Sequence, residues 1–482
     1  MKKRFISLLL MVSILLSTFS AGTALAQDDQ LYLEDLLTNS LASEDLIVGD
    51  TYGIYPQSWY LSDMNKPISH AQLRVLMAGL RHKILKTDCV IDYEEVKFKL
   101  HEKMTVKEVL EAFYLLISSY DFEGDIGIVD GGNAVNYMKT HGIYKSKIDL
   151  SLKDVCSIEQ ACVIATRLIT YIYDALDAAS KGFLWEINSG ENTVYLLGSI
   201  HVANYDIYPF SKKMLKAFDE SDVLYVEVDL LGGIDELPNL LEQYGLYTDG
   251  TTLKDHVSEE TYEKTINIFS MLGMSEEEII MYKPWVIQYI LAPLAAINNV
   301  DMEDVENLTL DASLGVDLKF LLDAYLKGKP VEELESYELQ IKLLDSFSDQ
   351  LDEYLLVNTL DSLLGISQEN EALEANMFNQ MLEYWHTGDV EGFMEVIAPI
   401  LVQSELPFDL NEEDNEVLAL MEEYYDKLLT QRDKVMAEKI DRLLKEEGGK
   451  TYFIVVGAAH YISNYSILDI LKEKGYEINQ IK

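Results

Sequence analysis

Two segments of the sequence, 259 positions apart, repeat one pattern: an apolar run followed by Gly-x-x-His. Residues 193–197 lead into Gly198-Ser199-Ile200-His201, and residues 452–456 lead into Gly457-Ala458-Ala459-His460. Each copy predicts a buried strand that ends at a glycine, and a helical pattern follows each one. Because ligands gather at strand ends in α/β sheets, the pair predicts two histidines at functional positions.

The predicted fold class is α/β (α+β), with two strand–Gly-x-x-His–helix units separated by a large helical insertion. The strands are predicted, in chain order, at residues 183–187, 193–197, 223–228, 452–456 and 476–481. The first two form a hairpin around Asn188-Ser189-Gly190. The simplest architecture joins both units in one sheet, so we expect His201 and His460 to lie near each other.

The N-terminal sequence is typical of an export signal. Lys2-Lys3-Arg4, an apolar stretch at residues 5–16 and Ala24-Leu25-Ala26 predict a signal peptide over residues 1–26. An uncleaved membrane anchor is the alternative, which the short apolar stretch and the cleavage pattern disfavour. We therefore expect a secreted, extracellular protein whose mature chain has no transmembrane segment.

Charge and cysteine content restrict the partners and the type of fold. A formal net charge of −45 argues against nucleic acid as a partner, because phosphate repels such a surface. The three cysteines, Cys89, Cys156 and Cys162, are too few for a disulfide scaffold. One disulfide bond and a set of free thiols both remain open.

Residues 27–180 predict a small, mostly helical domain, and residues 181–482 a second domain. Three helices of the first domain begin with capping-box spacing, at Ser69/Gln72, Thr105/Glu108 and Ser157/Gln160. Together with two Gly-Ile-Tyr turns, at residues 53–55 and 142–144, this spacing suggests a degenerate internal repeat. The arrangement resembles S-layer homology repeats, which hold exported bacterial proteins to cell-wall polysaccharide. The Thr-Arg-Ala-Glu start typical of their helices is absent, so a plain helical spacer is the alternative to a cell-wall polymer as partner.

The candidate site consists of His201, His460 and Glu227. Glu227 follows an apolar strand, where a carboxylate is costly unless it is paired or coordinates a cation. Two histidines and a carboxylate form an ordinary ligand set for Zn, Mn or Co that leaves positions open for water. Such a metal could activate a water for attack on a carbonyl. Asp229 is a second candidate ligand, or an exposed residue at the end of the strand.

Further motifs follow in order along the second half of the chain. They are Tyr195 to Val202 around the first Gly-x-x-His, Val226-Glu227-Val228-Asp229, Lys283-Pro284-Trp285, Gly315-Val316-Asp317, Gly328-Lys329-Pro330-Val331, Leu334-Glu335-Ser336, Gln340, Trp385 with Gly388-Asp389, Gln431-Arg432-Asp433, and Val455 to His460. With these motifs, residues 183–482 resemble the TraB/GumN family, whose metazoan relatives are the Tiki proteins. The resemblance implies a fold related to the erythromycin-esterase and ChaN-like groups, and a metal-dependent hydrolase site at the paired Gly-x-x-His motifs and the strand-end glutamate.

Two positions depart from the family pattern. Arg432-Asp433 stands where the family often has Arg-Asn, and residues 461–465 lack the glycine that usually follows the second histidine. Arg432 is a candidate for binding a carboxylate or stabilising an oxyanion, with a helix-surface salt bridge as the alternative.

These observations favour an exported, metal-dependent hydrolase of peptide or protein substrates. His201 and His460 would be metal ligands, and Glu227 a ligand or a general base. A protein that binds and sequesters peptides without cleaving them, and a cell-wall-anchored structural protein, are the alternatives.

Overall fold

The computed structural model describes residues 43–60, 62–91, 103–128, 132–144, 151–233, 236–298, 311–365, 371–401 and 412–482. The predicted signal peptide lies outside these residues. The chain divides into two compact units. One contains residues 27–180 and 205–215, and the other contains residues 181–204 and 216–482.

The first unit is mostly helical. Its helices are α1 (Ser43–Thr51), α2 (His70–Leu85), α3 (Val106–Ile117), α4 (Ala134–Thr140) and α5 (Ile158–Leu176). The short strands β1 (Cys89–Ile91) and β2 (Tyr120–Phe122) pair antiparallel. The capping boxes at Ser69, Thr105 and Ser157 are all present, so the predicted helix starts are confirmed. Each box satisfies backbone N–H groups that the first helical turn leaves without partners.

Both predicted Gly-Ile-Tyr turns of the first unit place their glycine at positive φ, at Gly53 and Gly142. L-residues with side chains rarely adopt this conformation, which explains why glycine begins each turn. All three cysteines are free thiols, and two of them, Cys156 and Cys162, are buried. The kinship of this unit with S-layer homology repeats stays a prediction.

The second unit is built on a six-stranded mixed sheet in the order β6-β5-β7-β4-β3-β8. The strands are β3 (Phe183–Ser189), β4 (Asn192–Ser199), β5 (Val223–Val226), β6 (Val331–Glu333), β7 (Thr451–Gly457) and β8 (Ile478–Ile481). The β3–β4 hairpin is antiparallel, whereas β4, β7, β5 and β6 run parallel to one another. The predicted α/β class is therefore confirmed. The two strand–Gly-x-x-His–helix units do share one sheet, as predicted.

The remaining helices are mostly inserted between β5 and β7. They are α6 (Lys212–Glu220), α7 (Leu237–Tyr244), α8 (Leu253–His256), α9 (Glu259–Met271), α10 (Glu276–Ile279), α11 (Pro284–Asn298), α12 (Val316–Lys327), α13 (Tyr337–Leu344), α14 (Asp349–Leu363), α15 (Glu371–Thr387), α16 (Val390–Leu401), α17 (Glu412–Tyr425), α18 (Gln431–Lys445), α19 (Ala459–Ile462) and α20 (Ile467–Glu473). Among the described residues, none of these helices is both long enough and apolar enough to cross a bilayer.

Strand register brings the two Gly-x-x-His motifs to the same edge of the sheet. Ser199 at the end of β4 lies opposite Gly457 at the end of β7. The Ala458 N–H donates to the Ser199 carbonyl at 2.9 Å, so the backbone segments after β4 and β7 leave the sheet side by side. The prediction for β5 was two residues too long, because its ladder with β6 and β7 ends at Val226. Glu227 therefore lies just beyond the strand.

Candidate active site

Four adjacent parallel strands each deliver one ionisable side chain to the same edge of the sheet. In spatial order these are Glu335 after β6, Glu227 after β5, His460 after β7 and His201 after β4. The Glu335 N–H donates to the Glu227 carbonyl at 2.8 Å, which keeps the two carboxylates side by side. All four residues are buried. The sequence thus brings together residues from 201 to 460 through parallel strand pairing alone.

Gly457 lies at the centre of this group. A Cβ at this position would lie 3.1 Å from His201 Nε2, 3.2 Å from Glu227 Oε1 and 3.7 Å from His460 Cδ2. The Gly457 N–H also donates to Glu227 Oε1 at 2.6 Å. The absence of a side chain therefore keeps space between the two imidazoles and the carboxylate, which is the physical reason for glycine in the second motif.

Asp317 orients His201. Its Oδ2 lies 2.8 Å from His201 Nδ1, so Nδ1 is the protonated nitrogen and Nε2 faces Gly457. Asp317 is in the first turn of α12, two residues after Gly315. A Cβ at Gly315 would lie 2.4 Å from the His201 carbonyl oxygen, so only glycine lets α12 begin this close to the histidine.

Asp433 orients His460 in the same way. Its Oδ1 lies 2.6 Å from His460 Nδ1, in an environment that is almost fully buried. Asp433 is near the start of α18, directly after a π-helical turn formed by Asp426–Thr430. Such turns shift the helical register by one residue and often occur at functional sites. Both histidines are thus paired with a carboxylate at Nδ1.

Arg432 lies between the two strand-end glutamates. Its Nη2 donates to Glu227 Oε2 at 2.7 Å and to Glu335 Oε2 at 2.6 Å, and its Nε donates to Glu335 Oε1 at 2.9 Å. The Nη1 group donates to the Leu428 carbonyl at 3.2 Å. Gln340 completes the network by donating to Glu335 Oε2 at 3.1 Å. The guanidinium is buried at 3 % exposure, so the helix-surface salt bridge considered from sequence is not what Arg432 forms.

The charges in the site shift the protonation of its members. Burial alone would raise the pKa of Glu227, but Arg432 and the two imidazoles outweigh burial and lower that pKa to about 2. Burial alone would lower the pKa of His201, whereas the Asp317 carboxylate raises it, and the net shift is upward. Burial raises the pKa of Asp433. Glu227 is therefore an anion at neutral pH, held by a permanent cation.

The donor chemistry suits a divalent metal. Each histidine has an Nδ1 held by a carboxylate, which is the usual partner of a metal-binding imidazole and orients Nε2 as the donor. His460 Nε2 lies 4.0 Å from Glu227 Oε1, and His201 Nε2 lies beside Gly457. Within the described part of the chain, no three His, Cys, Asp or Glu side chains are already arranged as a ligand group. The His201, His460 and Glu227 donors are therefore not already positioned around a single ion.

The structure brings together all four residues singled out from sequence: His201, Glu227, His460 and Arg432. It adds Asp317, Glu335, Gln340 and Asp433, which sequence reasoning had quoted only as parts of motifs. For two of them, the position in the sequence could have indicated a role in the site. Asp317 follows a glycine at the start of a helix, and Asp433 directly follows Arg432. Asp229 is not part of this group of side chains. Its carboxylate instead accepts hydrogen bonds from the N–H groups of Leu231 and Gly232.

Three other histidines make contacts away from the candidate site. His82 bonds to Asp206, His141 packs between Tyr137 and Tyr171, and His256 stacks on Tyr247. His101 lies outside the described residues. His82, His141 and His256 therefore lie outside the candidate active site.

Comparison with known proteins relates the second unit to one family. The TraB/PrgY/gumN family pattern matches residues 183–480. A metalloprotease TIKI homolog of Nematostella vectensis is 20% identical, over 63% of this chain and 67% of its own length. Metalloprotease TIKI1 of Danio rerio is 23% identical, over 62% of this chain and 63% of its own length. The uncharacterized protein YbaP of Escherichia coli (strain K12) is 24% identical, over 59% of this chain and 89% of its own length. The chain thus spans about two thirds of the length of these TIKI relatives, and no solved structure matches it.

Proposed function

The chain belongs to the TraB/PrgY/gumN family, and we propose that it is an exported, divalent-metal-dependent hydrolase that acts on peptides or proteins. The similarity to TIKI metalloproteases supports the reaction class, and the N-terminal sequence supports export. The observation that carries the proposal is the convergence of two carboxylate-oriented imidazoles on the space beside Gly457. His460 Nε2 lies 4.0 Å from Glu227 Oε1, and His201 Nε2 and Glu227 Oε1 both border the space that a side chain at residue 457 would fill.

His201, His460 and Glu227 would hold the metal, with Zn, Mn or Co as the candidates for this donor set. When bound, the ion would lower the pKa of a water and polarise the substrate carbonyl. Asp317 and Asp433 keep each histidine in the tautomer that presents Nε2. Arg432 holds the Glu227 carboxylate in place, and its own charge is balanced by Glu335.

Peptide hydrolysis at this site would need one water and no other reactant. The water oxygen forms a bond to the carbonyl carbon, and the carbonyl electron pair moves onto the carbonyl oxygen. That electron pair then re-forms the carbonyl as the C–N bond breaks, and the leaving nitrogen takes the proton that the water gave up, so the products are a carboxylic acid and an amine. Glu227 is held by Arg432 and the Gly457 N–H, so a role as anionic ligand suits it better than a role as general base.

A matched set of variants tests the proposal. The His201→Ala/His460→Ala double variant removes both imidazoles, and His256→Ala removes one that stacks on Tyr247. Each protein is saturated with Zn, Mn or Co, desalted, analysed for bound metal and incubated with a diverse peptide pool that is read by mass spectrometry. We expect the wild type and His256→Ala to retain metal and cleave peptides, and the double variant to do neither. Equal, negligible metal in all three proteins would refute metal dependence.

The same experiment separates hydrolysis from sequestration. If the wild type retains peptides from the pool without producing new fragments at any metal loading, it is a peptide-binding protein and not a hydrolase. Wall attachment through residues 27–180 is a separate proposal. Co-sedimentation of the full mature chain with purified cell walls tests it, and a protein that stays in the supernatant is not a wall-bound protein.

A further inference from the structure

A small cavity adjoins two of the three proposed metal ligands. Its polar lining consists of His201, Glu227, Asp317 and Gln340. The cavity measures about 10 Å³, which is room for about one water-sized group. Its lining residues are all buried except Asp317, whose side chain is 14% exposed. A group that occupies the cavity therefore lies against His201 and Glu227, and Asp317 marks the side from which it can enter.

The rest of the cavity wall is aliphatic. It is formed by five branched side chains, which are Val226, Val228, Leu230, Leu321 and Val455. They come from β5 and the residues after it, from α12 and from β7. These side chains have no hydrogen-bonding atoms, so the wall favours contact with an apolar group.

The two carboxylates of the lining have partners within the chain. Asp317 Oδ2 lies 2.8 Å from His201 Nδ1. Both oxygens of Glu227 accept hydrogen bonds, one from Arg432 and one from the Gly457 N–H. Asp317 Oδ1 is the exception, because it is buried and has no hydrogen-bond partner among the described residues. A water would satisfy this oxygen but not the aliphatic wall, whereas a peptide residue brings both a backbone N–H and a side chain.

Leu230 is the part of the aliphatic wall that lies furthest along the loop after β5, and this loop is firmly held. The Asp229 N–H donates to Glu333 Oε1 at 2.7 Å. The Asp229 carboxylate accepts from the Leu231 N–H at 3.1 Å and from the Tyr325 hydroxyl. Because both neighbours of Leu230 are fixed in this way, its side chain cannot easily move aside for a larger occupant, and the size of the cavity is set in advance.

We propose that this cavity is the pocket for a substrate residue next to the cleaved bond, that it accepts only small side chains, and that Leu230 sets this limit. The inference rests on the proposed hydrolase function and adds the class of peptide that the site takes. An alanine side chain is a single methyl group, about the size of the space. A leucine side chain would have to displace closely packed buried residues.

Two variants change the size of the cavity in opposite directions. Leu230→Ala enlarges it, and Val228→Ile adds one methyl group to its lining. Leu231→Ala is the matched control, because Leu231 is the next residue of the same loop but does not line the cavity. Each metal-loaded protein is incubated with a diverse peptide pool, and mass spectrometry identifies the residues on both sides of every cleaved bond.

Peptides with glycine, alanine or leucine at the restricted position then give kcat/KM, and the metal-free proteins give the affinity for the same peptides. We expect the wild type to prefer alanine over leucine by at least about 100-fold in kcat/KM, and Leu230→Ala to lower this ratio at least about 10-fold. Val228→Ile should lower the ratio of alanine to glycine about 10-fold. The affinities should change in the same directions. Leu231→Ala should match the wild type, and metal content should be equal in all four proteins.

Several results would overturn the inference while leaving the hydrolase function intact. One is a wild type that cleaves beside leucine as readily as beside alanine on both sides of the bond. Another is a pair of ratios that neither Leu230→Ala nor Val228→Ile changes. The wild-type profile and Val228→Ile decide the matter even if Leu230→Ala does not fold. If the wild type cleaves no peptide of the pool, the hydrolase function fails, and the size limit at the cleaved bond fails with it.

Discussion

His460 Nδ1 and Asp433 Oδ1 lie 2.6 Å apart, with side-chain exposures of 5% and 0%. His201 and Asp317 form the same kind of pair at 2.8 Å on the neighbouring motif. A buried carboxylate at Nδ1 fixes the tautomer and strengthens Nε2 as a donor. The two Gly-x-x-His motifs therefore each depend on an acid from a separate helix, 116 positions from His201 and 27 positions from His460.

Asp433→Asn tests the charge in the His460 pair. The amide oxygen can still accept from Nδ1–H, so the tautomer is kept and only the negative charge is lost. We expect the affinity for Zn or Co to fall about 10-fold, and Asp433→Ala to lower it about 100-fold. Competition against a chromophoric chelator measures both. Asp229→Asn, which changes a carboxylate outside the site, should leave the affinity unchanged, and wild-type affinity in both Asp433 variants would contradict the pairing argument.

Gly457→Ala and Gly198→Ala test two different reasons for glycine. At residue 457 glycine leaves space in the candidate site, whereas at residue 198 it allows close packing against the Ala458 backbone. A methyl group at residue 457 would enter the space between His201 Nε2 and Glu227 Oε1, so we expect metal retention to fall at least about 10-fold while the free energy of unfolding falls by only about 1 kcal/mol. A methyl group at residue 198 would lie 3.1 Å from the Ala458 backbone, which cannot easily yield. It should lower the free energy of unfolding by about 2 kcal/mol, as measured by urea titration. Equal effects of the two substitutions on stability would disprove this division.

Arg432→Met removes the counter-ion of two buried carboxylates. Glu227 and Glu335 are then left buried and uncompensated, so we expect the free energy of unfolding at neutral pH to fall by about 3 kcal/mol. Adding Glu227→Gln and Glu335→Gln should restore most of this loss, since the buried charges are then gone. Lys342→Met, which breaks an exposed pair with Glu338, serves as control and should cost less than about 1 kcal/mol. An Arg432→Met loss no larger than the control would show that the network contributes little.

The buried carboxyl group of Asp352, which lies outside the candidate site, should make the stability of the protein depend on pH. Burial, reinforced by Asp349 and Asp345, raises the pKa of the Asp352 carboxyl to about 8 from the ordinary value of 3.8. Between these two values the unfolded chain has released the proton and the folded chain retains it, so stability falls as pH rises through this window. Asp352→Asn does not titrate, and its stability relative to the wild type should rise by about 2 kcal/mol between about pH 4 and about pH 9.

Urea titrations at several pH values measure this effect. Asp219→Asn is the control, because the Asp219 side chain is 55% exposed and is not among the acids that raise the pKa of Asp352. It should show a much smaller pH-dependent difference. A difference between Asp352→Asn and the wild type that does not vary with pH would mean that Asp352 is ionised in the folded protein.

The sequence predicts the strands and the three main site residues because their signals are local. An apolar run that ends in Gly-x-x-His, and a glutamate after another apolar run, can be recognised within ten residues of sequence. The pairing of Asp317 with His201 cannot, because it depends on a helix that begins 115 positions later and on the close approach of Gly315 to the histidine backbone. Arg432 is intermediate: its residue type indicated a carboxylate partner, but not that Glu227 and Glu335 would both be that partner.

Strand β7 lies between β5 and β4, although residues 451–457 come after nearly all of the chain. Until this strand is inserted, β4 and β5 have no common neighbour in the sheet, so strand pairing does not hold His201 and Glu227 together. The site therefore cannot assemble before β7 joins the sheet, and a cut that releases residues 451–457 abolishes it.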